Sequence, residues 1–158
     1  MQYFYKLTEG VVTIAAMTAL MEHQDLFNGH TDASPKVKGL LIRDEYHANP
    51  AAAPLTSLGK MALTIMQLVD GVQIGEVSVI RIEPGGRLEQ EALTAHNSQF
   101  SRFHLVLHGL PGITMAVGDE AVSIKTGEAW WADAKQPCST TNKSTDDLFV
   151  MQMDIRVK

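Results

Sequence analysis

The stretch that decides the fold reads Arg102-Phe103-His104-Leu105-Val106-Leu107-His108. Side chains of a β-strand alternate between the two faces of its sheet, so the apolar residues at odd positions share one face. The other face carries the polar groups of Arg102, His104 and His108. If that face lines a barrel interior, the guanidinium of Arg102 and the imidazole of His104 are placed to bind a carboxylate. Alternation alone does not say which face is exposed to solvent. The simpler interpretation of the pattern is that the polar face of the strand is the exposed one.

Several further runs typical of β-strands lie around this stretch, at 76–83, 113–117, 121–125 and 148–157. Turn-forming pairs and triplets separate them, namely Pro84-Gly85-Gly86, Pro111-Gly112, Gly118-Asp119 and Thr126-Gly127. Short strands with such spacing predict a sandwich or a small barrel.

The N-terminal part has a different pattern. Apolar residues at helical spacing predict one helix over 8–23, capped by Thr8, and a second over 54–70. A short strand is predicted at 39–42. No interdomain linker is visible, so we expect one domain over 1–158, with a helical part at about 1–75 and a β part at about 76–158. The helices should pack on the outside of the β structure, which makes the fold mainly β with N-terminal helices (α+β).

Composition narrows the partners and the compartment. The 158 residues carry a formal net charge of -5, which gives no support to binding of nucleic acid or of an anionic membrane. The single Cys138 cannot form an internal disulfide, and neither a secretion signal nor an apolar run of membrane-spanning length is present. We therefore expect a cytoplasmic protein whose partner is a small carboxylate or a peptide. The sequence carries no signal for an oligomeric state.

Five local motifs occur in a fixed order: Pro84-Gly85-Gly86-Arg87-Leu88, Arg102-Phe103-His104-Leu105-Val106-Leu107, Gly118-Asp119-Glu120, Gly127-Glu128-Ala129-Trp130-Trp131 and Asp154-Ile155-Arg156. Together they cover about Val77 to the C-terminus, and this part of the chain resembles the aspartyl/asparaginyl β-hydroxylase family. The resemblance implies a double-stranded β-helix of the cupin or jelly-roll type. It also implies an iron(II) and 2-oxoglutarate dependent dioxygenase, in which two His residues, often with an Asp, hold the metal.

The metal positions that the resemblance implies are not occupied by the family's residues. Glu91 and Leu93 stand where the first His and the Asp are expected, and Cys138 stands where the second His is expected. Glu91 and Cys138 could still act as ligands, with His96 or His108 completing a site, and a thiolate would favour zinc over iron. A solvated turn residue for Glu91 and a small buried hydrophobe for Cys138 are the simpler interpretations.

Of the positions that hold the co-substrate in the family, two are matched in this sequence and one is not. The resemblance implies that Arg102 and His104, which match the family's Arg-x-His strand, hold the co-substrate and the substrate carboxylate. Leu148 replaces the arginine that the family uses to anchor 2-oxoglutarate. Trp130 and Trp131 should point to opposite faces of their strand, with the inner one in the core.

Three hypotheses follow from this pattern. The first is a protein that has lost or altered the hydroxylation chemistry and keeps a pocket for a small carboxylate or peptide at Arg102 and His104. The second is an active iron(II) and 2-oxoglutarate dependent hydroxylase of an amino acid or of an Asp, Asn or Pro side chain, with an unusual metal site. The third is a structural or protein-binding module with a closed interior.

Overall fold

A computed structural model describes residues 2–27, 35–94 and 99–158 of the chain. It contains two α-helices, α1 (Ile14–Glu22) and α2 (Thr56–Leu68), and short 3-10 turns at Gln24–Leu26 and Pro50–Ala52. The strands within these ranges are β1 (Phe4–Thr8), β2 (Val37–Arg43), β3 (Gly71–Ile82), β4 (Arg87–Gln90), β5 (Ser101–His108), β6 (Ile113–Val117), β7 (Glu120–Ser123), β8 (Ala129–Ala132), β9 (Cys138–Asn142) and β10 (Leu148–Val157). The prediction of a mainly β fold with two helices is confirmed.

The strands form two antiparallel sheets. The larger has six strands in the order β1-β8-β5-β10-β3-β2, and the smaller has four in the order β4-β9-β6-β7. Neighbours in space are mostly distant in sequence: β5 lies between β8 and β10, and β10 joins β5 to β3. The stretch 102–108 is therefore near the middle of the larger sheet, where both of its edges are hydrogen-bonded.

Two apolar clusters hold these layers together. The outer cluster combines α1 and α2 with one face of the six-stranded sheet, including Phe103, Leu105 and Leu107 of β5. The inner cluster lies between the two sheets and includes Val106 of β5 and Met115 of β6. The expectation that the helices pack on the outside of the β structure is confirmed, and the apolar face of the 102–108 stretch is the face that they cover.

The first helix begins later than the sequence predicted. Thr8 is the last residue of β1 and caps no helix, because 4–8 pair with β8 at the edge of the larger sheet. The residue before α1 is Thr13, whose buried hydroxyl donates a 2.7 Å hydrogen bond to the carbonyl oxygen of Leu107. This bond fixes the start of α1 to β5, a long-range contact that helical periodicity cannot report.

The predicted turns are present, and some strands were missed. Glycines in the predicted turns adopt positive φ, a conformation that glycine takes at little cost: Gly85, Gly112, Gly118 and Gly127. The missed strands β1, β4 and β9 lack a clear apolar alternation. In β9 the buried positions are held by Cys138, Thr140 and Asn142, which read as polar or small in the sequence. Neither described helix has the length and apolar composition needed to span a bilayer.

Candidate binding site

Two neighbouring strands carry a pair of polar rungs. In the β5 and β10 register, Arg102 lies opposite Asp154 and His104 opposite Gln152. The next rung is Val106 opposite Val150, and both valines belong to the inner cluster between the sheets. Because side chains alternate along each strand, the two polar rungs point to the same inner side. We call these four residues, Arg102, His104, Gln152 and Asp154, the polar ladder.

The first rung is a closed ion pair. Arg102 Nε donates to Asp154 Oδ1 at 2.9 Å, and Nη2 donates to Oδ2 at 3.2 Å. Only 14% of the Arg102 side chain and 9% of the Asp154 side chain are exposed. A bidentate pair of this kind fixes the plane of the guanidinium and balances its charge. Arg102 is therefore held rigidly, with Nη1 directed away from the two bonds to Asp154.

The second rung is buried and has unmet hydrogen-bonding capacity. His104 is 2% exposed, and within the described residues neither of its ring nitrogens has a hydrogen-bond partner in good geometry, although the side chain of Gln152 is close enough to act on it. The same holds for Oε1 of Gln152, which is 8% exposed. Unpaired buried polar atoms cost free energy, and in native proteins they usually mark a bound water, a ligand or a functional group.

The imidazole of His104 is neutral at physiological pH. Burial, and next the nearby charge of Arg102, lower the pKa of His104 from 6.5 to about 3, against a smaller opposing contribution from Gln152. A neutral imidazole offers one N–H donor and one acceptor nitrogen. The site therefore has one fixed guanidinium, already paired, and one uncharged imidazole.

This lowered pKa predicts a pH dependence of stability. Between pH 6.5 and about pH 3 the unfolded chain binds a proton at His104 that the folded protein excludes, so the free energy of unfolding falls as the pH drops. Relative to the variant His104→Leu, the wild-type protein should lose about 2 kcal/mol of unfolding free energy from about pH 7 to about pH 5. Urea titrations of both proteins measure this difference, and parallel pH curves would show that His104 is freely protonated in the fold.

The second rung has one aromatic and one small polar neighbour on the adjoining strands. His104 lies opposite Trp130 on β8, and Gln152 lies opposite Ser78 on β3. Trp130 is in the inner cluster, and its Nε1 donates to the Glu128 carboxylate at 3.1 Å. Trp131 instead packs against the outer cluster, which confirms that the two tryptophans point to opposite sides.

The two candidate metal positions lie close together in the structure. Gln90 of β4 pairs with Cys138 of β9, and Glu91 follows Gln90 directly. Glu91 and Cys138 line the same pocket, which has a volume of about 600 Å³ and is bordered by Pro137 and Gly118. The two positions therefore border one pocket, where they supply a carboxylate and a thiol.

The described side chains at these positions do not suit an iron(II) centre. Burial raises the pKa of the Cys138 thiol to about 11, against a smaller lowering by Arg102, whereas a metal-binding cysteine acts as a thiolate. Glu91 is exposed, and Leu93 offers no ligand atom. Among the described residues no three His, Cys, Asp or Glu side chains converge as a metal site requires.

Of the other residues considered for a metal site, those that the structure describes do not complete it. His108 stands at the far end of β5 from Arg102, where its Nε2 lies 2.9 Å from Asp146 Oδ2. His96 falls outside the described residues. Leu148, where the resemblance predicted that an arginine anchor is missing, is fully buried in the inner cluster. The apolar side chain of Leu148 therefore offers no charge to a carboxylate and no ligand atom to a metal.

Sequence reasoning named Arg102 and His104 but missed their partners. Asp154 was part of a quoted motif, yet its ion pair with Arg102 joins residues 52 positions apart in the chain. Gln152 is a polar residue inside the otherwise apolar run from Leu148 to Met153, and that interruption was a signal for an inward-facing polar group.

The two sheets and the inward polar ladder define the class of protein: a double-stranded β-helix of the cupin, or jelly-roll, type. No family model and no curated protein matches the sequence, so the likeness to the aspartyl/asparaginyl β-hydroxylases stays a prediction. Solved structures do match the fold. HygX from Streptomyces hygroscopicus, with nickel and 2-oxoglutarate bound, superposes with a TM-score of 0.67 at 12% identity, over 98% of this chain and 83% of HygX.

Two further structures agree with this class. HygX with nickel, 2-oxoglutarate and hygromycin B bound gives a TM-score of 0.64 at 11% identity, over 98% of this chain and 83% of that one. The plu4264 protein from Photorhabdus luminescens gives 0.50 at 8% identity, over 80% of this chain and 83% of its own. At such identities the likeness establishes the fold alone.

Proposed function

We propose that this chain is a ligand-binding protein of the cupin type that holds a small carboxylate through Arg102 and His104 and does not hydroxylate it. The observation that carries the proposal is the second rung of the polar ladder. His104 has two unpaired ring nitrogens in a buried position beside a fixed guanidinium. A carboxylate is well suited to accept one hydrogen bond from the N–H of His104 and another from the guanidinium of Arg102.

The ion pair with Asp154 supports a binding role for Arg102. It uses Nε and Nη2 of the guanidinium, so an incoming carboxylate can accept from Nη1 without breaking the pair. A guanidinium already held in place loses little conformational freedom on binding. Because Asp154 balances the charge, the attraction for an anion is weaker than that of a free arginine, and we expect moderate affinity.

A hydroxylase remains the second candidate, because HygX, which shares the fold at a TM-score of 0.67, binds nickel and 2-oxoglutarate. The described side chains do not favour metal-dependent hydroxylation in this chain. Cys138 is a protonated thiol, Glu91 is exposed, and Leu148 offers no charge to a 2-oxoglutarate carboxylate.

The proposal is tested by calorimetric titration of the full chain with succinate. We expect binding by the wild-type protein and at least tenfold weaker binding by His104→Leu, because one buried donor to the carboxylate is lost. The matched control is His108→Leu, which removes a histidine of the same strand that contacts Asp146 at the surface. This control should bind succinate as the wild-type protein does.

Two results would contradict the proposal. If the wild-type protein binds no succinate, the interior is closed and the structural-module hypothesis is favoured. If the protein consumes 2-oxoglutarate in an iron(II)-dependent reaction, the hydroxylase hypothesis is favoured. A peptide ligand would present the same carboxylate at its C-terminus, and a short peptide with an amidated C-terminus serves as its matched control.

A further inference from the structure

Helix α1 is apolar on the face that it turns to solvent as well as on the face that it buries. Its inner face packs into the outer cluster, where Leu20 is fully buried. On the opposite side Ile14 is 74% exposed and Met21 is 50% exposed, and no charged residue lies between positions 10 and 21. A helix that is apolar all round is normally covered on every side, and an exposed apolar patch marks a site of association.

An open groove runs beside this outer face. It has a volume of about 540 Å³ and lies between α1 and the C-terminal end of β5. Its apolar lining comes from both elements and includes Met17 of α1 and Leu107 of β5. Along α1, Ile14, Thr18 and Met21 follow one another at steps of four and three residues, which is the spacing of the contacts that a helix places in a groove. The same surface therefore offers a groove and a helix that suits such a groove.

The charges at the two ends of α1 are opposite in sign. Glu22 is exposed at the C-terminal end of the helix. Lys125 is exposed in the turn beside the N-terminal end, where the Val11 N–H donates a 3.0 Å hydrogen bond to the Gly127 carbonyl oxygen. Within the described residues neither charged side chain forms an ion pair. Two antiparallel α1 helices would bring each Glu22 to the partner's Lys125 and to the positive end of the partner's helix dipole.

We propose that the outer face of α1 is the contact between two copies of this chain, which pair about a twofold axis with their α1 helices antiparallel. A twofold contact uses the same surface on both copies, and this surface complements itself in shape and in charge. Thr18 lies halfway between Ile14 and Glu22, so the axis passes close to it. The nine residues of α1 span only about 13 Å, so we expect a small contact and a reversible dimer with a micromolar dissociation constant. This inference does not depend on the proposed carboxylate site.

Sedimentation velocity of the full chain tests the pairing. Across the micromolar concentration range the mass should rise from that of one chain to that of two. Ile14→Glu should stay monomeric where the wild-type protein is half dimeric, because it places two carboxylates in an apolar contact. The matched control is Leu63→Glu, which changes a 54% exposed leucine of α2 and should dimerise as the wild-type protein does. A wild-type protein that is monomeric at every concentration would overturn the proposal.

A charge exchange tests the antiparallel arrangement. Glu22→Lys and Lys125→Glu should each weaken the dimer about fivefold, because either change sets like charges together at both ends of the contact. The double variant restores opposite charges and should recover the wild-type dissociation constant. A double variant that dimerises no better than the single ones would show that these two residues do not meet.

Cross-linking tests the position of the axis. A short bifunctional maleimide should join two copies of Thr18→Cys, because the new thiols face each other across the axis. Thr64→Cys, at an exposed position of α2, is the matched control and should stay unlinked. The native Cys138 is buried and should react in neither protein. A dimer in which Thr64→Cys cross-links and Thr18→Cys does not would place the contact elsewhere and overturn the assignment to α1.

Discussion

Replacing Leu148 with arginine is expected to cost roughly 4 kcal/mol or more of unfolding free energy, enough to deplete the folded protein. Leu148 is fully buried in the inner cluster, where its side chain packs close to Gly109. Leu148→Arg would introduce the arginine that the predicted resemblance implies at this position, but it would bury a charge without a partner. Urea unfolding, or the yield of soluble protein, measures the effect.

Leu148→Met is the matched control, because it keeps the volume and the apolar character of the side chain and should cost less than about 1.5 kcal/mol. The opposite result is also informative. If Leu148→Arg folds with wild-type stability and gains affinity for 2-oxoglutarate, the interior has room for a co-substrate at this position.

Removing the guanidinium of Arg102 should also destabilise the protein strongly. Arg102→Ala leaves the carboxylate of Asp154 buried without its bidentate partner, which should lower the free energy of unfolding by about 3 kcal/mol or more. The double variant Arg102→Met with Asp154→Leu removes both charges and fills the space with apolar atoms. Urea unfolding should show that this variant recovers most of the loss.

The comparison of the single and double variants isolates the electrostatic origin of the effect. If the double variant is as unstable as Arg102→Ala, the loss arises from packing and not from a stranded charge. The double variant also serves as a binding control, because it lacks the guanidinium without the instability of the single change. Its affinity for succinate should be below that of the wild-type protein.

The sequence predicted the parts of the fold that depend on local patterns. Turn glycines such as Gly112 and Gly118, and the apolar runs at Ile113–Val117 and Leu148–Val157, placed several strands correctly. β1 and β9 could not be found in this way, because each owes its extended form to a partner strand distant in sequence. The start of α1 depends on the bond from Thr13 to β5, which is equally non-local.

The sequence predicted the β5 residues of the candidate site but not their partners on β10. Alternation placed Arg102 and His104 on one face of a strand, but it could not tell whether that face was wet. The answer depends on the four-stranded sheet that covers this face. The polar partners come from β10, which supplies Asp154 and Gln152 from some 50 residues away in the chain. A guanidinium that looks free in the sequence is paired in the fold, and an ordinary-looking histidine is buried and neutral.

We expect this two-sheet fold to bind a small carboxylate at Arg102 and His104 without a metal. The most direct test is the dissociation constant of succinate, measured with the same wild-type sample in EDTA and in anaerobic iron(II). We predict the same constant in both, because the donors named here are side chains of the polar ladder. Binding that appears only with iron(II) would contradict this expectation and would favour the hydroxylase hypothesis.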